Sequence, residues 1–151
     1  MGADGAYRYL LARRWARGPG VLFVMLNPST ADEVTDDPTI RRCVGFARKW
    51  RAPAMEVVNL YALRATHPRD LFAHRAPIGD DNDRAIRSAA ARAREIVVAW
   101  GAHGERDPAR VAHVIDLLGG RDMRCLGANR GGSPKHPLFV PYLTKRRRWT
   151  A

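Results

Sequence analysis

The chain has 151 residues, of which 46% are hydrophobic and 27% are charged. That length allows a substantial core but not two of them, so we expect a single α/β domain over residues 1–151. The sequence contains neither a basic-then-apolar leader nor about eighteen uninterrupted apolar residues, so a signal peptide and a membrane span are not expected. A soluble cytoplasmic protein is the expectation.

The charge is strongly positive. Lys and Arg number 26 against 15 Asp and Glu, for a formal net charge of +11. Such a field attracts polyanions and supplies the sequence-independent part of nucleic-acid affinity. The alternative is an alanine- and arginine-rich composition that uses arginine only for surface solubility. Three dense basic segments are candidate contacts to a nucleic-acid backbone: Arg41–Arg42, Arg48–Arg51 and Lys145–Arg148.

The first predicted elements are two strands. Tyr7–Trp15 is expected to form an added strand that pairs antiparallel at the sheet edge, and a turn at Arg17–Gly20 joins it to the second strand. Val21–Leu26 is a continuous apolar run, typical of a strand buried on both faces. Asn27-Pro28 then forces the chain out of the sheet, which places the polar cluster Asn27–Asp32 at its carboxyl edge. Open α/β sheets bind ligands at that edge.

Two of the predicted helices share a start signal, an aspartate N-cap followed by proline. Asp37-Pro38 opens a helix with an apolar stripe from Ile40 to Trp50, and Asp107-Pro108 opens another that ends at Gly119-Gly120. An alanine- and arginine-rich helix is expected over Asp80–Arg94. Cys43 in the first helix and Cys125 in a strand are expected as buried thiols. Their spacing fits no zinc or iron-sulfur site, so neither a metal nor a cofactor is expected.

Further strands are expected at Met55–Leu60, Ile96–Trp100 and Met123–Leu126, with Leu138–Val140 as a final short strand. The alternation of strand and helix predicts a three-layer α/β/α domain with a mostly parallel central sheet of about four to five strands. Parallel strands share one carboxyl edge. The polar and aromatic residues expected to converge there are Asn27, Ser29, Asn59, Arg64, Trp100, Asn129 and His136.

Several short motifs carry a family resemblance. They are Leu26–Asp32 (Leu-Asn-Pro-Ser-Thr-Ala-Asp), Asp36–Thr39, Asn59-Leu60 with Leu63–Thr66, Trp100-Gly101 and His136–Leu138. Together they resemble a widespread bacterial family catalogued as a domain of unknown function, which has the Asn-Pro-Ser-Thr-Ala-Asp signature. This resemblance covers nearly the whole chain and implies no activity.

A more distant resemblance is to the uracil-DNA glycosylase superfamily. Asn27-Pro28 resembles its first motif, at a strand end, whose Asn or Asp helps to place the attacking water. His136-Pro137 resembles its late-loop motif, whose histidine stabilises the leaving base. Asn59-Leu60 resembles the strand-end asparagine that contacts the base, and Val97–Gly101 its hydrophobic-then-glycine segment. The resemblance implies a similar fold, with Asn27 and His136 as catalytic residues.

The chain departs from the superfamily pattern at three places. Met25 stands where the first motif has glycine, Leu138 stands where the second has serine, and no aromatic residue closely follows Asn27-Pro28. A damaged base, a modified base or another nucleotide ligand therefore stays open as the substrate. Alongside Asn59, we expect Pro28, Ser29, Trp100 and Leu138 to contact the base or substrate.

Each catalytic role has a structural alternative. Asn27 could hold a water or could form a strand-end turn, and His136 could donate to the base or be a surface histidine in a proline turn. Leu138 and Phe139 could wedge into a DNA stack, although the final strand explains them as well. The residues predicted to contact phosphate or DNA are Thr30, Arg64, Lys135, Arg41 and Arg42. Ser29 and Thr30 serve equally well as turn formers, and Arg64 as a salt-bridge partner of Asp32 or Asp36.

Acidic residues suggest a different chemistry. Asp32, Glu33, Asp36 and Asp37 lie close together in sequence, and clustered carboxylates can hold Mg²⁺ in a nuclease or phosphohydrolase. Asp37 is already explained as a helix cap, and no second acidic cluster follows another strand. Asp32 could orient Arg64 or act as a base.

The leading interpretation is a monomeric, cofactor-free hydrolase that is similar to DNA glycosylases and acts on a damaged or modified base in DNA. The alternatives are a non-catalytic nucleic-acid-binding module of the same fold and a hydrolase or transferase of a free nucleotide or nucleoside. Arginines gathered around the Asn27 edge would favour DNA, whereas an even scatter would favour the free nucleotide.

Overall fold

A computed structural model describes residues 5–151. Over that range the protein is a mixed α/β structure with a six-stranded mixed sheet and four α-helices. The strands are β1 (Leu11–Arg14), β2 (Val21–Met25), β3 (Ala54–Asn59), β4 (Glu95–Val98), β5 (Met123–Cys125) and β6 (Arg147–Arg148). Their order across the sheet is β1-β3-β2-β4-β5-β6.

The sheet is mixed, so the expectation of a mostly parallel sheet is wrong. The inner strands β3, β2, β4 and β5 pair in parallel. Both edge strands run the other way, since β1 pairs antiparallel with β3 and β6 with β5. An antiparallel edge strand needs no crossover helix, so the alternation of strands and helices in the sequence does not predict its direction. The expected antiparallel first strand at the edge is confirmed.

The helices are α1 (Pro38–Lys49), α2 (Pro68–Ala73), α3 (Asn82–Arg92) and α4 (Pro108–Leu117). Both predicted start signals are confirmed. Asp37 Oδ1 accepts a hydrogen bond from the Ile40 N–H at 2.9 Å, and Asp107 Oδ1 accepts one from the Arg110 N–H at 3.1 Å. No helix among residues 5–151 has the length and apolar content needed to cross a membrane.

Two short 3-10 helices complete the fold, Ala102–Arg106 and Pro137–Phe139. The second replaces the final strand expected at Leu138–Val140, so that expectation is wrong. Pro137 has no N–H for a strand ladder, and the His136 ring accepts the Leu138 N–H at 3.2 Å, which closes a turn instead. The strand that ends the sheet is β6, within the basic tail.

Two core clusters lie on opposite faces of the sheet. Alternate residues of β2 divide between them, with Phe23 and Met25 facing α1 and Leu22 and Val24 facing the layer of α2, α3 and α4. The expected burial of Cys43 and Cys125 is confirmed, and both thiols are free. Burial raises the pKa of Cys43 above its usual range.

A buried arginine ties the α3–α4 layer to the sheet. Arg110, 5% exposed, donates from Nε to the Leu60 carbonyl at 2.7 Å and from Nη1 to Asp83 Oδ1 at 2.8 Å. His113 Nε2 lies 2.8 Å from the other Asp83 oxygen. Partial burial acts to raise the pKa of Asp83, but hydrogen bonds from Arg110 and His113 outweigh it and the pKa lies below the ordinary 3.8.

The hydrogen bonds that Asp83 accepts from Arg110 and His113 predict that the stability of the fold falls in acid. Since the folded-state pKa of Asp83 is depressed, its contribution to stability is complete above pH 3.8 and is lost as pH falls through the lower folded-state pKa. We expect Asp83→Asn to lower the free energy of unfolding at pH 7 and to flatten its decline between pH 4 and pH 2, measured by urea unfolding. Curves of wild type and variant that stay parallel with pH would contradict this.

Candidate active site at the carboxyl edge of the sheet

Asn27 begins the chain segment that leaves β2. Its side-chain Nδ2 donates to the Ala65 carbonyl at 2.8 Å and to the Pro28 carbonyl at 3.0 Å. These bonds fix the amide and join the loop after β2 to the loop after β3, so the predicted strand-end turn role is present. They also fix the carbonyl Oδ1, to which none of residues 5–151 donates a hydrogen bond.

His136 lies at the start of the 3-10 helix at Pro137–Phe139. Because Nδ1 accepts the Leu138 N–H, a neutral ring carries its proton on Nε2. Burial lowers the pKa of His136 below 6.5, and the nearby carboxylate of Asp37 opposes that shift. The predicted histidine is therefore a neutral imidazole at pH 7 with one N–H available as a donor.

Gly101 brings Asn27 and His136 to the same edge. Val24 of β2 is in register with Val98 of β4, and continuing this parallel register places Asn27 level with Gly101. A Cβ added to Gly101 would lie only 3.3 Å from the His136 Cβ, so the histidine packs directly on this glycine. The residue also has φ of 80°, which favours glycine.

Asn59 is the last residue of β3 and pairs in register with Met25. It alternates with Met55 and Val57, which places it on the α1 face. Its side chain is 1% exposed, yet neither amide atom has a hydrogen-bond partner among residues 5–151. A buried polar group without a partner costs about 1–3 kcal/mol. Such a group calls for a specific explanation, and a bound ligand is one.

Arg8 is a site residue that the sequence analysis missed. It is 3% exposed, and its Nη1 donates to the Ala31 carbonyl at 3.1 Å, while Nε has no partner among the described residues. Burial, and then the charge of Arg64, lowers the pKa of Arg8 to about 10. The sequence feature that could have pointed to Arg8 is a single charged residue within the apolar and aromatic segment Tyr7–Leu11.

Asp37 connects this cluster to helix α1. Its Oδ1 caps the helix, and its Oδ2 accepts the Ala31 N–H at 3.3 Å. Its charge also acts on both Arg8 and His136, raising the pKa of each against the effect of burial. Arg8, Asp37, Asn59 and His136 therefore surround the amino end of α1, on the same side of the sheet.

The carboxylates of Asp32 and Asp36 both have partners within the protein. Asp32 Oδ1 accepts the N–H groups of Val34 and Thr35, and those bonds lower the pKa of its carboxyl. Asp36 pairs with Arg13 at 2.8 Å. Within residues 5–151 no three His, Cys, Asp or Glu side chains are grouped so that they could hold a metal ion.

The predicted phosphate contacts are more dispersed. Arg64 Nη1 donates to the Ser29 carbonyl at 3.2 Å, which braces the loop after β2. Thr30 and Lys135 are exposed near this edge. The remaining two lie on α1: Arg42 donates to the Val140 carbonyl at 2.6 Å, and Arg41 to the Asp36 carbonyl at 3.2 Å.

The predicted base contacts are divided between the two faces. Pro28 is buried and Ser29 half-buried next to Asn27, and Leu138 is half-buried beside His136. Trp100 is 2% exposed in the core on the other face, where it packs edge-on against Trp149 at 5.2 Å. Asn129 is used within its own loop, where its N–H donates to the Ser133 carbonyl and its Nδ2 to Ser133 Oγ. The structure therefore groups Asn27, Asn59 and His136 without Trp100.

Basic residues do not gather around the Asn27 edge alone. A cleft of about 980 Å³ lies at the opposite, amino-terminal edge of the inner strands and is lined by several of them. The basic residues are therefore neither gathered around the Asn27 edge nor evenly scattered over the surface.

The fold and the site define an α/β protein with a buried polar cluster at the carboxyl ends of its central strands. Residues 8–138 match the family described as Protein of unknown function (DUF1643), and the chain belongs to that family. The family membership confirms the expected domain of unknown function. The chain matches no curated protein and no solved structure.

The unpaired amide of Asn59 is expected to lower the stability of the fold. Asn59→Leu removes a buried, unsatisfied group of similar size, so we expect the free energy of unfolding to rise by about 1–2 kcal/mol. Asn82→Leu is the matched control. Asn82 is equally buried, but its Nδ2 donates to the Asn59 and Leu60 carbonyls at 3.0 and 3.2 Å, so its loss should destabilise. Urea unfolding measures both, and an equal loss of stability in the two variants would argue against an unpaired Asn59.

His136 predicts a titration below pH 6.5. Because the folded-state pKa is depressed, the unfolded chain takes up this proton first, and stability declines as pH falls through the window below 6.5. Protonation at Nδ1 also removes the acceptor of the Leu138 N–H. NMR should show the His136 ring and the Leu138 amide shifting with one common midpoint, and a midpoint at or above 6.5 would contradict the buried, neutral ring.

Proposed function

We propose that this protein is a hydrolase, similar to DNA glycosylases, that cleaves the N-glycosidic bond of a damaged or modified base in DNA. The observation that carries the proposal is the buried Asn59 amide without a partner, on the edge where Asn27 and His136 also lie. The proposed chemistry needs no cofactor, because water is the co-substrate.

Bond cleavage leaves the electron pair of the C1′–N bond on the departing base and positive charge on the sugar. A donor aimed at the base oxygen stabilises the developing anion. His136 supplies such a donor in Nε2–H, and its lowered pKa keeps the ring neutral at pH 7. A neutral imidazole can serve as an electrophilic donor in a site of this kind.

The sugar needs an oriented water. Asn27 holds its amide NH₂ on the Ala65 and Pro28 carbonyls, which leaves Oδ1 to accept a hydrogen bond from that water. The water oxygen bonds to C1′, one of its protons passes to solvent, and the base anion takes up a proton as it leaves. The structural role of Asn27 and its proposed catalytic role therefore use different atoms of one amide.

Asn59 is suited to base recognition. Its side chain offers one acceptor and an NH₂ donor side by side, which complements a base edge that presents a donor beside an acceptor. A buried amide also rejects a base with the wrong pattern, because a mismatch leaves its polar atoms unpaired.

Phe139 favours DNA over a free nucleoside as the substrate. It is 90% exposed, and it lies three residues beyond His136 in the same short 3-10 helix that replaced the expected strand. An exposed apolar side chain beside the site can insert between base pairs and hold a nucleotide out of the stack. A small nucleoside would make no use of it.

We expect abasic sites at one altered base when the protein acts on a panel of labelled DNA oligonucleotides, each with one altered base, followed by alkaline cleavage. His136→Ala should slow that excision by about 100-fold, as loss of one preorganised donor does. Asn59→Leu should also abolish most activity although the fold is retained. His103→Ala is the matched control, because His103 is exposed on the 3-10 helix at Ala102–Arg106.

Excision that survives both His136→Ala and Asn59→Leu would place the chemistry elsewhere. DNA binding without any excision across the panel would favour the alternative of a non-catalytic nucleic-acid-binding module. The basic cleft at the other edge of the sheet is consistent with that alternative. Turnover of free nucleosides, without action on DNA, would favour the second alternative.

A further inference from the structure

The amino-terminal edge of the inner strands carries a second, independent site candidate. Its cleft of about 980 Å³ lies where β4 and β5 begin and where α1 ends. The charged side chains that line it are Lys49, Arg94, Glu95, Arg121, Asp122, Arg124, Lys145 and Arg146. The six cations outnumber the two carboxylates.

Both carboxylates have an arginine partner in the protein. Glu95 forms an ion pair with Arg146, and Asp122 Oδ1 lies 3.6 Å from Arg148. The Asp122–Arg148 pair is exposed and therefore weak. Six cations against two carboxylates leave the cleft with an excess of positive charge.

The cations themselves fall into two groups. Lys49 donates to the Tyr142 carbonyl at 2.6 Å, and Arg121 donates to the Ala90 and Ala93 carbonyls at 2.6 and 2.7 Å. These two side chains are held by the protein and form part of the cleft wall. The side chains of Arg94, Arg124 and Lys145 are exposed and bond to no group among residues 5–151.

A second cleft, of about 550 Å³, continues from the first. The two clefts share Arg94, and the second adds Arg17, Arg48 and Arg51. Together these residues form a basic track along the edge from β3 to β5. Three strand spacings of about 4.8 Å give it a length of about 14 Å.

Two tryptophans line the track. Trp15 lies in the second cleft, with the Arg48 guanidinium 4.3 Å from its ring centroid, and Trp50 lies in the first, with Arg146 at 4.4 Å. Trp15 is also fixed by its Nε1 bond to the Ala52 carbonyl at 2.9 Å. Trp50 already has Arg146 and Phe23 against its ring, the latter with ring centroids 6.0 Å apart. Trp15 stacks on no other aromatic ring among residues 5–151, and a rigid, half-buried aromatic ring beside cations is a surface on which a single-stranded base stacks.

We propose that this basic track binds the sugar-phosphate backbone of a single-stranded nucleic acid, with Arg94, Arg124 and Lys145 on phosphates and a base against Trp15. The site is at the opposite edge of the sheet from Asn27 and His136. It therefore goes beyond the proposed excision chemistry and does not depend on it.

The test compares two triple variants that remove the same charge. Arg94→Gln with Arg124→Gln and Lys145→Gln removes the uncommitted cations of the track. Arg75→Gln with Arg87→Gln and Arg130→Gln removes three exposed arginines elsewhere. Binding of a fluorescent, undamaged dT 20-mer is measured by anisotropy from 50 to 300 mM salt, and thermal unfolding checks that each variant folds. A Trp15→Leu variant tests stacking.

The track variant should bind about 100-fold more weakly at 0.1 M salt and lose about 2 from the salt slope, since each lost phosphate contact on a single strand is worth about 0.7. The control variant should stay within about threefold of wild type, and Trp15→Leu should bind about tenfold more weakly with the salt slope unchanged. Equal weakening of both triple variants would overturn the proposal, as would tighter binding to vesicles of anionic lipid than to the oligonucleotide. Because the oligonucleotide is undamaged, neither result depends on whether the protein excises a base.

Discussion

The candidate active site depends on the parallel pairing of β2 between β3 and β4. That register sets Asn59 beside Met25 and brings the chain beyond Val98 level with the chain beyond Val24. A slip of one residue would move every side chain of a strand to the opposite face. All five residues of β2 are buried, and a slip would misfit their side chains in both layers, because core side chains interdigitate closely. Backbone hydrogen bonds and apolar packing, not interactions between the polar groups, therefore place the asparagines.

The polar groups at this edge reduce the stability of the fold. Arg8 and Asn59 are buried with atoms that have no partner in the described part of the chain, and His136 is held neutral by burial. Proteins keep such costs mainly where a site must be preorganised for a ligand. Arg110, the other buried arginine, also has one unpaired nitrogen, Nη2, but it forms an ion pair with Asp83, whereas Arg8 pairs with no carboxylate within residues 5–151. The contrast between the two arginines supports a ligand site at the carboxyl edge.

The sequence predicted the elements whose signals are local. Asp37-Pro38 and Asp107-Pro108 carry their own caps, and the apolar run of β2 is read from its composition. It did not predict the contacts that depend on tertiary structure. Strand β6 is two residues long and exists because Arg147 and Arg148 pair with β5, which no local pattern encodes. Trp100 was expected to end its strand, but it lies beyond β4 and in the core cluster on the face away from α1. Arg8 precedes β1 and becomes buried only in the folded protein, where it donates to the Ala31 carbonyl.

The two ends of the sheet differ in what their residues can recognise. The carboxyl edge offers an amide and an imidazole with defined donor and acceptor directions, and such groups discriminate between bases. The amino-terminal edge offers guanidinium and ammonium groups beside the Trp15 ring, and in the proposed complex these would contact phosphates and stack on any base. Strands of four to six residues separate the edges by only about 13–20 Å at 3.3 Å per residue. A flexible single strand can cover that distance along one side of the protein, so sequence-independent affinity at one edge can raise the local concentration of nucleic acid at the other.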